Sequence, residues 1–322
     1  MAERTIVAVL GTRYPDLSVE EAILAPRGVR LASGPGGDPD DIVALAGDAA
    51  VILAGSAVRL DTAVIERLSC IGIVRYGVGV ENVDLAAASR AGMWVAYVPD
   101  YGTEAVATHT VALILTALRR ITLADRAVKS GRWGLEGLRP LSLPSSLTVG
   151  VVGAGRIGRR VAELLAPFGF DLVMHDAYVD IDSAAPGVKS ASLDELLEIS
   201  DVVTLHVPGS PSDPPLLGSA ELDRLKPGAI LVNTARGALV DQAALIERLR
   251  SGAIALAALD VFGTEPPGPD LSDVFDRTIL TPHMAWYTEE TESDLRTKAA
   301  GEALRLLEGL PPLNAAAAPD VN

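Results

Sequence analysis

Three residues whose side chains could act together in catalysis, Arg236, Glu265 and His283, each follow a short apolar run in the second half of the chain. In an open parallel sheet, ligands bind beyond the carboxyl ends of the strands, so we expect these side chains to converge on one cleft. A guanidinium fits a carboxylate through two parallel N–H donors, and an imidazole exchanges a proton near neutral pH. A carboxylate on the second ring nitrogen would orient the imidazole and favour its protonated form. The set suits reduction of a 2-oxo acid, which needs a carboxylate clamp, a proton for the carbonyl oxygen and a hydride.

The segment 153–158 has the glycine spacing of a dinucleotide-binding turn, and it follows the apolar run 147–152. The first glycine permits the tight turn, the second lets the backbone approach a pyrophosphate, and the third lets the following helix pack closely on the strand. The helix N-terminus offers N–H groups and a positive dipole end to the phosphates, and an arginine at that end adds a charge. The predicted cofactor contacts in this turn are Gly153, Gly155, Arg156, Ile157 and Gly158.

A second apolar run, at residues 171–175, ends at Asp176. The acid lies roughly 20 residues after the glycine turn, which is the spacing of the carboxylate that holds the ribose hydroxyls of NAD. A carboxylate at this place repels the 2′-phosphate of NADP. The sequence therefore predicts NAD as the cofactor.

Each of these residues also has an ordinary structural explanation when it is considered alone. Arg236 would be a surface arginine at a turn, Glu265 a solvated loop acid, and His283 a buried histidine bonded to backbone. The glycines would form a plain tight turn, and Asp176 would cap a loop. The occurrence of arginine, glutamate and histidine in this order, downstream of a dinucleotide fingerprint, favours the catalytic explanation.

Short apolar runs alternate with longer helical patterns along the chain, which is typical of crossover units in a parallel sheet and indicates an α/β fold. The runs are almost continuously apolar, as expected for strands covered by helices on both faces. Strands are predicted at residues 5–10, 50–54, 71–75, 94–96, 147–152, 171–175, 201–206, 229–233, 255–260 and 278–281. Helical stretches between them are predicted at residues 59–69, 156–168, 192–199 and 241–251.

Two long helical patterns, at residues 103–130 and 288–310, frame the middle of the chain. The block 104–285 holds the glycine fingerprint and is predicted to be a cofactor domain inserted into a second domain. Residues 1–103 plus 286–322 would form that second, substrate domain. The apolar positions of the first long pattern recur at helical spacing and are Val106, Val111, Ile114, Leu115, Leu118 and Ile121.

Composition narrows the functional class. The chain has 322 residues, 49% of them hydrophobic, and a net charge of −15, which suits two globular domains and argues against a nucleic-acid partner. The single cysteine allows no internal disulfide and fits a cytoplasmic location. The four histidines and the cysteine lack metal-ligand spacing, so no metal site is expected. Residues 1–10 lack the pattern of a signal peptide, and no apolar run reaches about 18 residues, so no membrane span is expected.

Two segments are expected to lie outside the regular elements. The stretch 33–41 is rich in glycine, proline and aspartate, which predicts an exposed loop. The alanine-rich stretch 315–318 near the end is expected to be peripheral and mobile.

Over nearly its whole length, the sequence resembles the D-isomer-specific 2-hydroxyacid dehydrogenase family. The resemblance is carried by segments 75–84, 153–158, 232–241, 258–266 and 281–283. It implies two Rossmann-like, doubly wound parallel-sheet domains, with the cofactor domain inserted into the substrate domain. It also implies NAD-dependent interconversion of a 2-oxo acid and a D-2-hydroxy acid, and a homodimer formed through the cofactor domains.

Within the family, segment 281–287 resembles the C-terminal-binding-protein branch. In that branch a tryptophan three residues after the catalytic histidine faces the substrate, which points to Trp286. Arg75 matches a substrate-facing arginine of the same branch. The alternative for Trp286 is hinge packing between the domains, and the alternative for Arg75 is a surface salt bridge.

By the same resemblance, the backbone N–H groups of Val78 and Gly79 would bind the substrate carboxylate, and Asp260 would lie near the nicotinamide carboxamide. Two positions depart from the family pattern. Thr108 stands where acidic or amide residues are frequent, and Glu81 stands where aspartate is common, which leaves the adenine-side contacts open. The other residues implied to line the cofactor are Thr108, His206, Val207, Pro208 and Thr234.

Two other functions are compatible with the same fold. An NAD(H)-sensing scaffold, like the co-repressors of the branch named above, would carry only incidental catalysis, and the intact Arg–Glu–His set argues against it. Oxidation of a non-carbon acid such as phosphite is disfavoured by the segment around Trp286. The acid itself stays open among glyoxylate, pyruvate, hydroxypyruvate, a thioether or branched 2-oxo acid, and an acid of secondary metabolism.

Overall fold

The computed structural model describes residues 5–12, 14–210 and 212–320. Residues 1–4, on which part of the signal-peptide expectation rests, lie outside the described residues. So do residues 321–322, the end of the predicted substrate domain.

Thirteen strands occur in the described part of the chain. They are β1 (Ile6–Leu10), β2 (Arg30–Gly34), β3 (Val51–Ala54), β4 (Gly72–Arg75), β5 (Trp94–Ala96), β6 (Thr148–Val152), β7 (Asp171–His175), β8 (Lys189–Ser190), β9 (Val202–Leu205), β10 (Ala229–Asn233), β11 (Ile254–Leu259), β12 (Thr278–Leu280) and β13 (Ala315–Ala317).

Twelve α-helices accompany these strands in the same described residues, with short 3-10 turns between some of them. They are α1 (Ser18–Leu24), α2 (Pro39–Ala46), α3 (Thr62–Ile65), α4 (Leu85–Arg90), α5 (Thr103–Leu118), α6 (Ile121–Lys129), α7 (Arg156–Leu165), α8 (Ile181–Ala184), α9 (Leu193–Ile199), α10 (Ser219–Arg224), α11 (Gln242–Ser251) and α12 (Glu289–Leu307).

The elements form two compact units, each with its own sheet. The first unit comprises Met1–Gly102 and Thr288–Asn322. Its sheet has the strand order β13-β5-β4-β3-β1-β2, and every pairing in it except that of β13 is parallel. The central strands β1, β3 and β4 are buried nearly throughout, because helices cover both of their faces. Asp61 and Asp84 cap α3 and α4 by accepting hydrogen bonds from backbone N–H groups three residues on.

The second unit, Thr103–Tyr287, holds an entirely parallel sheet with the order β12-β11-β10-β9-β6-β7-β8. The chain leaves β6 toward β7 and β8, and then returns to the other side of β6 through β9. This reversal is a topological switch point, the place where open α/β sheets bind their ligands. The two sheets confirm the predicted α/β fold with two Rossmann-like domains.

The long helix predicted at residues 103–130 is wrong as a single element, because the chain breaks it into α5 and α6, which are bent by 59°. Arg120 adopts a left-handed backbone with φ of 49° and donates a hydrogen bond to the Gly137 carbonyl oxygen. Half of the 16 residues of α5 are buried in the core of its unit, whereas α6 has no buried residue. Ile121 therefore does not continue the apolar face of α5, although its spacing fits.

Two further expectations are corrected. The alanine stretch 315–318 is not outside the regular elements, since Ala315–Ala317 form β13, an edge strand antiparallel to β5. The loop expected at residues 33–41 is shorter, because β2 extends through Gly34 and α2 begins at Pro39. Small alanine side chains and a proline at the first helical turn fit these elements, but neither feature by itself reveals a strand or a helix.

No single helix of the described residues is both long and apolar enough to cross a membrane. The bent pair α5 and α6 reaches the required length and hydropathy only when counted together.

Candidate active site

Arg236, Glu265 and His283 follow β10, β11 and β12, three strands that are neighbours in the sheet of the second unit. The strands are parallel, so their carboxyl ends lie at the same edge. This placement brings three loops that are distant in sequence to one side of the sheet.

His283 and Glu265 form a direct pair, with 2.7 Å between the imidazole Nδ1 and the carboxylate Oε2. A carboxylate only accepts hydrogen bonds, so Nδ1 carries the hydrogen of this bond. The other ring nitrogen, Nε2, is then the one that can give up or take a proton. The side chains of His283 and Glu265 are 46% and 38% exposed, which leaves the pair accessible to a small molecule.

The electrostatic surroundings keep Glu265 ionised. Partial burial raises the pKa of its carboxyl, but the hydrogen bond and charge of His283, the backbone N–H of Phe262 and the charge of Arg236 outweigh that effect. The net result is a pKa below the ordinary value for glutamate. An ionised acid at this place can stabilise a positively charged imidazolium.

The Asn233 side chain fixes the backbone of the loop that carries Arg236. The Asn233 side chain donates to the Arg236 carbonyl oxygen at 2.8 Å and accepts from the Ala235 N–H at 3.0 Å. A Cβ on Gly237 would lie 1.9 Å from the carbonyl of Phe262, so only glycine allows this close approach. The loop of Arg236 thus packs directly on the loop that leads to Glu265.

The predicted cofactor turn lies between the end of β6 and the start of α7, at the switch point. Gly153 has a φ of 107°, which favours glycine, and a Cβ on Gly158 would lie 1.9 Å from the Gly153 carbonyl oxygen. A Cβ on Gly155, by contrast, would meet no protein atom within 4 Å. The absence of a side chain at Gly155, the residue that caps α7, therefore opens space for a ligand rather than for packing. Arg156 and Ile157 form the first turn of α7, and these features fit a pyrophosphate.

Asp176 follows β7 and joins the cofactor turn directly. Its Oδ2 accepts a hydrogen bond of 2.7 Å from the Ala154 N–H, and its Oδ1 accepts from the N–H groups of Tyr178 and Val179. Partial burial raises the pKa of the carboxyl, but the three backbone donors together bring it below the ordinary value. Asp176 is therefore a fixed negative charge beside the turn.

The remaining residues implied to line the cofactor follow β9 or β10 or lie on α5. His206, Val207 and Pro208 follow β9 beside Gly153, and burial lowers the pKa of the His206 imidazole to about 3, so the ring is neutral. Thr234 is buried after β10 and shares a hydrogen bond with Thr110, whereas Thr108 is exposed on α5.

Asp260 follows β11 and is only 1% exposed. Its carboxylate accepts hydrogen bonds from the backbone N–H groups of Met284 and Ala285, both at 2.9 Å. The carboxylate therefore supports the loop that carries His283. Its contact with a nicotinamide stays a prediction.

In the first unit, Arg75 ends β4 and lies buried beneath the loop that contains Val78 and Gly79. Its guanidinium donates to the carbonyl oxygens of Gly79, Ala54 and Tyr76. Arg75 is only 5% exposed, so the alternative of a salt bridge on the surface does not describe its position. Val78 is exposed.

Trp286 is anchored to the catalytic loop, since its indole Nε1 donates to the His283 carbonyl oxygen at 3.1 Å. Its ring packs edge-on against Tyr287 with 5.6 Å between the ring centroids. Trp286 therefore lies beside the loop of His283. Its contact with a substrate stays a prediction.

Sequence reasoning missed His109 and Thr281, whose side chains join α5 to the loop of His283. His109 on α5 lies 3.1 Å from the Thr281 hydroxyl, and that hydroxyl donates to Asp260 at 2.6 Å. A histidine within the otherwise apolar, buried face of α5 was the available signal. Among the described residues, no group of three or more metal-ligating side chains is found.

A parallel sheet of this order, with a glycine-rich turn at its switch point, defines a dinucleotide-binding domain of the Rossmann type. Residues 111–285 match the family model described as "D-isomer specific 2-hydroxyacid dehydrogenase, NAD binding domain". The chain therefore belongs to the D-isomer specific 2-hydroxyacid dehydrogenase family, and its second unit contains the family's NAD-binding domain.

Individual relatives agree with this assignment. The chain is 37% identical to the D-3-phosphoglycerate dehydrogenase of Archaeoglobus fulgidus over 84% of its own length and 52% of the relative, so it spans about half of that protein. It is 39% identical to the glyoxylate reductase of Aeropyrum pernix over 75% of each chain.

Solved structures show the same fold over nearly the whole chain. The TT0316 protein from Thermus thermophilus is 35% identical, with a TM-score of 0.87 over 97% of this chain and 100% of that one. D-Lactate dehydrogenase from Aquifex aeolicus, solved with NAD and lactic acid, is 26% identical, with a TM-score of 0.86 over 98% of this chain and 100% of that one. Membership in the C-terminal-binding-protein branch stays a prediction.

Proposed function

We propose that this protein is an NAD-dependent dehydrogenase that interconverts a 2-oxo acid and a D-2-hydroxy acid. The observation that carries the proposal is the 2.7 Å contact between His283 and Glu265 at the strand edge that also holds Arg236. Family membership and the NAD-binding domain supply the cofactor. The D configuration of the product follows from the family alone.

The residues of the chain divide the work of the reaction. When bound, NADH supplies the hydride that is added to C2 of the 2-oxo acid. The Arg236 guanidinium binds the substrate carboxylate through parallel N–H donors. Protonated His283 gives its Nε2 proton to the carbonyl oxygen, and ionised Glu265 holds the ring through Nδ1 and stabilises the imidazolium. In the reverse direction, neutral His283 accepts the hydroxyl proton at Nε2.

We also propose that the cofactor contacts the turn after β6. Gly153, Gly155 and Gly158 would give the pyrophosphate access to the N-terminus of α7, with Arg156 and Ile157 in its first turn. Asp176 would hold the ribose hydroxyls, and its charge would reject the 2′-phosphate of NADP. The other proposed cofactor contacts are Thr108, His206, Val207, Pro208, Thr234 and Asp260.

The side chain of the acid is proposed to be small or modestly apolar. Met284 and Trp286 follow the catalytic histidine and would form an apolar wall, in addition to the substrate contact assigned to Arg75. Glyoxylate, pyruvate, hydroxypyruvate and a branched or thioether 2-oxo acid are the candidates. The name of one relative, a glyoxylate reductase, contains the smallest candidate acid, whereas the D-3-phosphoglycerate dehydrogenases are named for an acid with a charged phosphate.

A homodimer formed through the NAD-binding unit is also proposed, in the cytoplasm and without a nucleic-acid partner. Helix α6 and the segment after it expose several apolar side chains, including Trp133, which is 92% exposed. Exposed apolar patches on a folded chain mark interaction surfaces. Sedimentation should give twice the monomer mass for the native chain, and Trp133→Asp should lower the mass to that of a monomer. A monomeric native chain would refute this part of the proposal.

The activity is tested by following NADH oxidation against a panel of 2-oxo acids. Turnover of at least one small 2-oxo acid, with formation of the D-hydroxy acid, is expected. Tight NADH binding without turnover of any acid would contradict the proposal and favour the NAD(H)-sensing scaffold.

A further inference from the structure

The backbone of His283 is held in an unusual conformation. Its φ of 52° lies in the left-handed region, which residues other than glycine adopt only when their surroundings impose it. The orientation of the imidazole toward Glu265 therefore depends on what fixes the loop 281–285. The structure shows two layers of support for this loop.

The first layer is Asp260, which binds the loop through both its side chain and its backbone. Its Oδ1 accepts from the Thr281 hydroxyl at 2.6 Å and from the Met284 N–H at 2.9 Å, and its Oδ2 accepts from the Ala285 N–H at 2.9 Å. Its carbonyl oxygen accepts from the His283 N–H at 2.9 Å. These four hydrogen bonds surround the left-handed residue on both sides.

The second layer is His109, which reaches the loop from α5. Its Nε2 lies 3.1 Å from the Thr281 Oγ1 and 3.8 Å from the Asp260 Oδ1. The single hydroxyl proton of Thr281 is directed to Asp260, because a carboxylate cannot donate. Thr281 must therefore accept from His109, and the hydrogen bonds run in one direction, from His109 through Thr281 to Asp260.

We propose that His109 is a positioning residue for the catalytic histidine. Through Thr281 and Asp260, it fixes the loop in the conformation that aligns the His283 ring with Glu265. The proposal rests on the dehydrogenase function above. It predicts that loss of the His109 donor slows the chemical step and leaves NADH binding almost unchanged, because His109 acts through the loop.

The matched test compares His109→Leu, which removes the donor, with His109→Gln, whose amide can reach the Thr281 oxygen. We expect His109→Leu to lower kcat by about tenfold to hundredfold, since small displacements of reacting groups have effects of this size. The KM for the 2-oxo acid and the Kd for NADH should stay within about twofold, and His109→Gln should recover most of the loss. An unchanged kcat in His109→Leu, a loss that His109→Gln does not recover, or an equal loss of NADH affinity would overturn the proposal.

A second comparison separates alignment of the His283–Glu265 pair from general damage to the fold. In a Glu265→Gln background, His109→Leu should cost much less than in the native chain, because the two changes disrupt the same arrangement. Losses that simply multiply would contradict the proposal. Thr281→Val, which keeps the volume and removes the hydroxyl, should reproduce the effect of His109→Leu and serves if that variant does not fold.

Failure of the proposed dehydrogenase function can be distinguished from failure of the role of His109. If the native chain turns over none of the 2-oxo acids, the proposed function is wrong. If the native chain is active and both His109→Leu and Thr281→Val keep its kcat, only the role of His109 is wrong.

Discussion

Two charge pairs with the same closest distance occur in the two units and differ in their surroundings. His283 and Glu265 in the second unit are 2.7 Å apart, with side chains 46% and 38% exposed. Arg296 and Glu20 in the first unit are also 2.7 Å apart, but their side chains are 6% and 0% exposed. Contact distance alone therefore does not distinguish the proposed catalytic pair, His283 and Glu265, from a structural pair such as Arg296 and Glu20.

Hydrogen bonding explains the difference between the pairs. The Arg296 guanidinium also binds the Asp16 carbonyl oxygen and covers the Tyr14 ring, while Glu20 also accepts from the Tyr76 hydroxyl. This pair is enclosed between α1 and α12, and the hydrogen bond to Glu20 raises the pKa of the Arg296 guanidinium above its ordinary value, so the guanidinium stays charged. The His283–Glu265 pair instead combines partial exposure with an imidazole, the side chain that most often serves as a general acid or base. We therefore expect the first-unit pair to act on stability and the second-unit pair to act on turnover.

The largest expected effect is that of His283→Ala on turnover. Removing the proton donor should lower kcat by about 10²- to 10⁴-fold, the usual contribution of general acid–base catalysis. The Kd for NADH and the free energy of unfolding should change little, because the ring is half exposed. Steady-state kinetics, NADH titration and urea unfolding measure the three quantities. Turnover equal to that of the native chain would remove His283 from the mechanism.

The complementary change is Arg296→Met in the enclosed pair of the first unit. It leaves Glu20 as a buried charge without its guanidinium, and breaking such a pair costs about 3–5 kcal/mol of unfolding free energy. The double variant Glu20→Leu with Arg296→Met should recover most of this stability, because no buried charge is left. Urea unfolding distinguishes the outcomes, and a single variant as stable as the native chain would break the comparison.

A smaller effect is expected for Asp176→Ala on cofactor choice. Loss of a hydrogen bond to a charged group is worth about 1.5–3 kcal/mol, so the Kd for NADH should rise about tenfold to hundredfold. The affinity for NADPH should rise relative to that for NADH, because the repelling charge is gone. Asp176→Asn serves as the control that removes the charge and keeps an acceptor. An unchanged ratio of the two affinities in both variants would exclude Asp176 from the ribose site.

The smallest effect concerns the pH dependence of stability. The pKa of the Glu265 carboxyl is lowered in the folded chain, so its contribution to stability is present above the ordinary pKa of glutamate. That contribution is lost as the pH falls through the lowered, folded-state pKa. The difference in unfolding free energy between the native chain and Glu265→Gln should therefore shrink as the pH falls from the ordinary pKa of glutamate through the lowered pKa. A difference that grows as the pH falls would show that the carboxyl is not stabilised in its ionised form.

The convergence of Arg236, Glu265 and His283 at one edge of the sheet could be predicted from sequence, because each residue follows an apolar strand and parallel strands end at one edge. The enclosed pair could not be predicted in the same way. Glu20 and Arg296 lie on α1 and α12, near opposite ends of the chain, and no local pattern links them. Arg75 shows a third case, since its match to a substrate-facing arginine of the family branch suggested a ligand contact, and the structure shows it buried with hydrogen bonds to three backbone carbonyls.

The errors in the fold occur where the local sequence pattern does not decide the structure. The apolar periodicity continues across Arg120, so spacing alone did not reveal the end of α5. Strand β13 consists of alanines, whose composition favours neither a strand nor a core position, and only its pairing with β5 defines it. Tertiary contacts decided both features.

The most direct test of the central claim is a crystal structure of the chain with NAD and a non-reacting analogue of a 2-oxo acid. We expect the analogue's carboxylate to bind the Arg236 guanidinium and its carbonyl oxygen to lie about 3 Å from the His283 Nε2, with Glu265 still bound to Nδ1. An analogue bound beside the cofactor with its carbonyl oxygen out of hydrogen-bond reach of His283 would contradict it.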